Sequence, residues 1–149
     1  MTKLSESTDT EVITVPLKLC GLNEYINVER TNRFQAAKLK RQTQDDLGLF
    51  IRHNIAIGKL HKHTRKVSLI IDWYEPNNMR DNDNVAFAVK FIQDALVENG
   101  IFPDDNRKHI EGIMHRIFTD KSNPRITIHI VEGEDRKCFG ITNTESQSE

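Results

Sequence analysis

The sequence predicts an α+β (α/β-like) single domain: one mixed β-sheet covered by two main helices, in the order β-α-β-α-β-β. Three observations carry that expectation. β-branched or alternating stretches stand at 11–19, 67–75, 109–118 and 125–132. Apolar residues of helical period fill the intervals after the first and second of these stretches. No internal repeat and no Gly/Ser linker divides the 149 residues, a length that supports one buried core.

Each element has a local reason. "EVITVPLKL" (11–19) alternates and reads as a strand, and Pro16, lacking an N–H, places it at an edge or a bulge. "CGLNEYINVER" reads as a loop, with Thr31 as the cap of the next helix. From Asn32 to about Ile57 the period is helical. Phe34, Ala37, Leu47, Phe50, Ile51 and Ile55 make one apolar stripe, Lys38, Lys40 and Arg41 lie largely off it, and Gly58 stops it. "KLHKHTRK" is a basic connector. "VSLIIDWYE" (67–75) is the clearest strand, apolar on both faces around Leu69 to Ile71. A helix from about Asn84 to Asn99 ends at Gly100, and "IFPDDNRK" is a loop. "HIEGIMHRIF" and "RITIHIVE" are two further strands separated by the turn "TDKSNP". The domain therefore spans 12–137, between a flexible N-terminus (1–11) and a flexible tail (138–149).

Composition bounds the setting. With 37% hydrophobic and 29% charged residues, the chain reads as a soluble globular protein. No apolar run approaches the roughly 20 residues that span a bilayer. The polar, acidic start is not a secretory signal, so no membrane partner is expected. Cys20 and Cys138 stand far apart, without a CxxC or zinc spacing. A reducing, cytoplasmic setting fits. The net charge of −1 does not by itself call for a polyanion. Setting aside residues 1–11 and 138–149 leaves 20 basic and 17 acidic side chains, a weakly basic core in which local clusters matter more.

The densest cluster is "NNMRDNDNV" (77–85), where Asp81 and Asp83 flank one residue just before an apolar helix. Two readings compete. An acid at a helix start accepts free N–H groups and suits the dipole, so Asp83 as an N-cap needs no function. Alternatively, two carboxylates one residue apart at a strand end can converge on Mg²⁺, which takes hard oxygen ligands and keeps several waters. Lys90 lies seven residues after Asp83, close to two helical turns, and returns to nearly the same face. There it either stabilises charge on a phosphoryl group or pairs with Asp94 at i,i+4. A second acidic pair, Asp104 and Asp105, follows Gly100. A helix from Asn84 to Gly100 advances about 24 Å, whereas five extended residues return at most about 17 Å. A symmetric dimer, with Asp105 supplied by the partner, removes that difficulty. "HKH" at His61 to His63 has no further Cys/His support for zinc and reads as a polar loop. His109, His115 and His129 fall in strands as structural or surface residues, and Trp73 and Tyr74 read as core or dimer packing.

The line "RDNDNVAFAVKFIQDALVENGIFPDD" (80–105) resembles the RusA family of Holliday-junction resolvases, especially its phage and prophage branch. The shared features are an R-D-x-D-N box, a lysine and a D-A-L on the same helix, a glycine, and then D-D. "LNEYINVERTNRFQAAKLK" is similar to the family's N-terminal segment, and together these cover roughly residues 12–131. The resemblance implies a homodimeric endodeoxyribonuclease that uses Mg²⁺, with Mn²⁺ able to substitute. It would cut four-way DNA junctions by paired symmetric nicks, in recombination, repair or phage DNA processing, inside a bacterial host or phage-infected cell. It assigns Asp81, Asp83 and Asp105 as metal-binding acids and Lys90 as the catalytic lysine, which here stands three residues further along than in enterobacterial members. Phosphate contacts would come from Arg80, Arg30, Arg33, Lys38 and Arg41, from Lys59, Lys62, Arg65 and Lys66 of the connector, and from Arg107 and Lys108. The alternative is a catalytically weak protein that binds branched DNA by shape.

Overall fold

The structure, a computed structural model, describes residues 9–132. Cys138 and the expected flexible tail (138–149) lie outside them, as do residues 1–8 of the N-terminal segment. The elements are β1 (Asp9–Val15), α1 (Leu22–Thr31), α2 (Arg33–Ala56), β2 (Val67–Glu75), α3 (Asn82–Ala86), α4 (Val89–Glu98), β3 (Ile110–Thr119) and β4 (Arg125–Glu132). One mixed four-stranded sheet has the order β1-β4-β2-β3. β4 is antiparallel to both β1 and β2, whereas β3 runs parallel to β2. A parallel pair needs a long crossover, and α3 and α4 lie on it. The single mixed-sheet α+β architecture is as expected.

β2 sits between β4 and β3 and is apolar on alternate and adjacent positions alike. Val67, Leu69, Ile71 and Trp73 are all buried against the helices. Ile13, Val15, Ile126, Ile128 and Ile130 continue that face across β1 and β4. From the helical layer come Leu47 and Ile51 of α2 and Phe91, Ile92, Ala95 and Leu96 of α4. Each such large side chain contributes about 1.5–3 kcal/mol on burial, and this shared core fixes the sheet against the helices.

Three local expectations are corrected. First, the segment expected as a loop is helix α1. It starts at Gly21 without a side-chain cap bond and buries no residue fully, so cap and stripe signals are both weak. Leu22, Tyr25 and Ile26 do carry an i, i+3, i+4 pattern, and Tyr25 packs its ring on Phe87 and Phe91. Second, Thr31 does not cap α2. It ends α1, donating its hydroxyl to the Asn27 carbonyl, while Asn32 Oδ1 accepts from the N–H groups of Phe34 and Gln35. Third, only the middle of the expected stripe of α2 is buried: Leu47 and Ile51 are in the core and Phe50 packs against it. Phe34 is 79% exposed, and Ala37 and Ile55 are exposed too. Beside Leu47 and Ile51, the buried face carries Ala36, Thr43, Gln44, Gly48 and Asn54, which lie off the stripe. Thr43 and Asn54 tolerate this because their side chains donate to the carbonyls of Leu39 and Phe50, one turn back.

β1 also begins two residues earlier and ends four residues earlier than the expected 11–19, so Asp9 and Thr10, expected in the flexible N-terminus, pair with Glu132 and Val131. Among the described residues, no helix is long and apolar enough to cross a membrane.

Candidate functional site

The acidic box follows the C-terminal end of β2, and its side chains alternate in role. Arg80 turns inward. Its Nε and Nη2 donate to the two oxygens of Glu75 at 2.9 Å each, and Nη1 donates to the Leu19 carbonyl at 3.2 Å. Asn84 also turns inward, its Oδ1 accepting from the Asn23 N–H at 3.1 Å. Both tips crowd Gly21: a Cβ there would stand 2.5 Å from Asn84 Oδ1 and 2.7 Å from Arg80 Nη1. A side chain at Gly21 would therefore push one or both of these tips aside. Between the two braces, Asp81 and Asp83 are exposed.

Capping takes a different form from the one expected. Asp83 is not the N-cap; it lies in the first turn of α3. Asp81 occupies the cap position with extended backbone, and its carbonyl accepts from the Val85 N–H, but its carboxylate makes no cap bond. Neither carboxylate has a protein partner among the described residues.

The expected continuous helix is interrupted. Between α3 and α4 the bonding tightens, with Ala88, Lys90 and Phe91 donating to Val85, Phe87 and Ala88, three residues back. The tight turn seats Ala88 and Phe91 in the core, with Phe87 and Phe91 edge to face. About three steps at 120° rather than 100° carry Lys90 roughly 60° further round than a regular helix would. Lys90 is exposed, and among the described residues it makes no ion pair with Asp94 or any other acid.

The second acidic pair lies elsewhere. Ile101 and Phe102 plug into the core, and the Ile101 carbonyl accepts from the His63 N–H, so the loop base is fixed. Asp104 then folds the loop on itself, accepting from the Asp105 N–H and from Asn106 Nδ2. Asp104 and Asp105 line a cleft of about 530 Å³ with Lys40 and Gln44 of α2 and Asp94 and Glu98 of α4. The loop therefore runs back along α4 as far as Asp94. Asp81, Asp83 and Lys90 do not line that cleft. Among the described residues no three His, Cys, Asp or Glu side chains are grouped to hold a metal ion, so Asp81, Asp83 and Asp105 do not meet within one chain.

The expected phosphate contacts are spread widely. Arg30 and Arg33 flank the junction of α1 and α2, Lys38 and Arg41 follow on α2, and Lys59, Lys62, Arg65 and Lys66 lie on the connector. Arg107 and Lys108 stand beside Asp105, and all of these are exposed. Arg80 differs, its guanidinium being engaged by Glu75 and Leu19.

Two further clusters escaped the linear reading. Glu11 bridges the connector histidines, with His61 Nδ1 at 2.6 Å and His63 Nε2 at 2.8 Å, while Glu132 lies 3.4 Å from His63 Nδ1. His63 is buried, so "HKH" ties the connector to the sheet edge. On the sheet, Asp72 accepts two bonds from Arg116 at 2.6 and 2.8 Å and lies 3.0 Å from His129 Nε2. Trp73 Nε1 donates to His115 Nδ1, which must be unprotonated to accept, and burial pushes the His115 pKa below its ordinary value. No sequence signal marks these pairings, since each joins residues more than forty positions apart.

These carboxylates set an acid limit on stability. Burial alone would raise the pKa of Glu11 and of Asp72, but hydrogen bonds from His61 and His63, and from Arg116 and His129, outweigh it, and both lie below the ordinary value. A depressed carboxyl contributes stability above its unfolded pKa and loses it as pH falls through the folded one. The urea midpoint should therefore hold near neutrality and drop as pH falls below the ordinary carboxylate range. Asp72→Asn should lose about 1–2 kcal/mol at neutral pH, discounted because Arg116 is half exposed. That difference should vanish in acid; one that persists there would assign it to packing.

The chain matches no protein-family model and no curated protein.

Proposed function

We propose that the protein is a homodimeric, Mg²⁺-dependent, structure-selective endodeoxyribonuclease of the RusA type, resolving four-way DNA junctions by paired symmetric nicks. One observation carries the reading. Asp81 stands at a helix cap, yet its carboxylate makes no cap bond. Asp83, expected as the cap, lies in the first turn beside the helix dipole instead, so neither carboxylate is engaged by the capping bond that would need no ligand. Arg80 and Asn84 brace the segment from within and leave two exposed carboxylates one residue apart. That donor set suits Mg²⁺ with its waters retained. When bound, the ion would polarise a phosphate oxygen and acidify a bound water.

The chain's own groups supply the rest. Lys90, exposed near the start of α4, would face charge gathering on the phosphoryl oxygens. Asp105 would join the site from a second protomer, since it does not meet Asp81 and Asp83 within one chain. Arg30, Arg33, Lys38, Lys62, Arg65, Arg107 and Lys108 would neutralise phosphates along the junction arms. Two equivalent sites in a two-fold dimer match a two-fold substrate.

The test is incubation with synthetic four-way junctions, with and without Mg²⁺. Paired, symmetric nicks that require the metal are expected. Binding without cutting would point to a shape-selective DNA-binding protein, and neither binding nor cutting would overturn the reading. Lys90→Ala should slow single-turnover cutting by about a hundredfold while leaving junction affinity nearly unchanged. An unaltered rate would remove Lys90 from the site.

A further inference from the structure

The sheet order β1-β4-β2-β3 leaves the outer side of β3 without a strand among the described residues. β3 is also long, ten residues from Ile110 to Thr119. A bare strand edge is a template for pairing with another chain, and proteins usually guard it with lysine, proline, a bulge or a very short strand. "IEGIMHRIFT" holds neither lysine nor proline. Its register shift lies at its start, between Ile110 and Gly112, so residues 112–119 run uninterrupted along 68–75. On the core side of the strand Ile113 and Ile117 are only partly buried, and on the other side Phe118 is 42% exposed. The opposite edge, β1, is shorter and is tied to the connector through Glu11, His61 and His63.

We propose that β3 pairs antiparallel with β3 of a second copy, joining two sheets into one. The placement of the acids selects that occupant. β2 runs toward Asp81 and Asp83, whereas β3 starts just after Asp104 and Asp105. The two strands are parallel, so the two sets of acids belong to opposite ends of the sheet, roughly 30 Å apart for a strand the length of β2. An antiparallel copy reverses this. Its β3 starts beside the end of the first β3, two strand spacings or about 10 Å from the end of β2. The partner's Asp105 is thereby brought to the end that carries Asp81 and Asp83. A two-fold axis normal to the sheet repeats the arrangement at the other end and pairs like face with like. Centred on His115, it sets Ile113 against the partner's Ile117 and Met114 against the partner's Arg116. The interface rests on the strand edge alone; the use made of Asp105 rests on the nuclease reading.

The experiment is sedimentation of the full chain, with amide exchange followed at about 1 and about 100 μM. A dimer is expected, with exchange slowed by concentration in 112–119 and unchanged in β1. Met114→Lys places like charges across the pair and should raise the dimer dissociation constant at least about tenfold. Met114→Glu, and Val12→Lys on exposed β1, should not. A monomer at about 100 μM would overturn the proposal. So would a dimer without slowed exchange in 112–119, or equal weakening by all three substitutions. Where Met114→Lys lowers the urea midpoint, the exchange data on the unsubstituted chain decide. Mg²⁺ should tighten the dimer, and Asp105→Asn should remove that tightening, because an ion held across two copies binds only their dimer. A β3-paired dimer indifferent to Mg²⁺ would confirm the interface and overturn the partner's Asp105 as a ligand.

Discussion

Asp83→Asn is expected to abolish junction cutting, lowering the single-turnover rate by about a thousandfold, while junction affinity stays level or rises. The size follows from what a ligated metal contributes, several kcal/mol of charge stabilisation, at about 1.4 kcal/mol per factor of ten. The direction of the binding effect follows from electrostatics: an unneutralised carboxylate beside phosphate repels it. Stability should hardly move, because Asp83 is exposed and its carboxylate makes no hydrogen bond among the described residues. Cutting rate, junction affinity and urea midpoint measured on one preparation separate these effects. Near-normal turnover in Asp83→Asn would dismiss it as a ligand. Lost turnover accompanied by a lowered urea midpoint would instead mean that the segment had unfolded.

The largest stability effect is expected at Arg80. Glu75 is 6% exposed, and both its oxygens are held by the Arg80 guanidinium. Removing the cation leaves a buried, uncompensated carboxylate, and breaking such a pair costs about 3–5 kcal/mol. Arg80→Met should therefore lower the unfolding free energy by that amount, read from the urea midpoint at constant m. Adding Glu75→Met to it should restore most of the loss, because two apolar side chains of similar volume replace a desolvated ion pair at little cost. A single-variant loss under about 1 kcal/mol would show that the pair behaves as a solvated surface contact. Arg80 also reaches the Leu19 carbonyl, so the same substitution loosens the link between the acidic box and the segment before α1. A fall in cutting larger than the fall in folded population would show that this brace positions Asp81 and Asp83.

The two substitutions assign opposite tasks to neighbouring residues. Arg80 and Asn84 hold the backbone to Glu75, Leu19 and Asn23, and Gly21 provides the space for both. Asp81 and Asp83 carry no part of that load. A helix start built this way is stabilised by its flanks rather than by its acids, which leaves the acids available for a ligand.

The amino-acid sequence by itself determined the strands of the sheet, the long α2 and the position of the acidic box. These rest on local periodicity, and β2 and β4 end where the apolar pattern ends. It also marked Asp81, Asp83 and Asp105 as acids worth explaining. Tertiary structure decided the rest. Helix α1 is weak as an isolated pattern and is held by Tyr25 against Phe87 and Phe91. The inward face of α2 carries Thr43, Gln44 and Asn54, which apolar counting assigns to solvent. The break between α3 and α4 accompanies the burial of Ala88 and Phe91, and it turns Lys90 from about 20° on one side of Asp83 to about 40° on the other. The partners of Glu11, Asp72 and Glu75 are set by packing. A periodic pattern reports which face of an element is apolar, whereas a buried charge is set by whichever distant residue the fold brings to it.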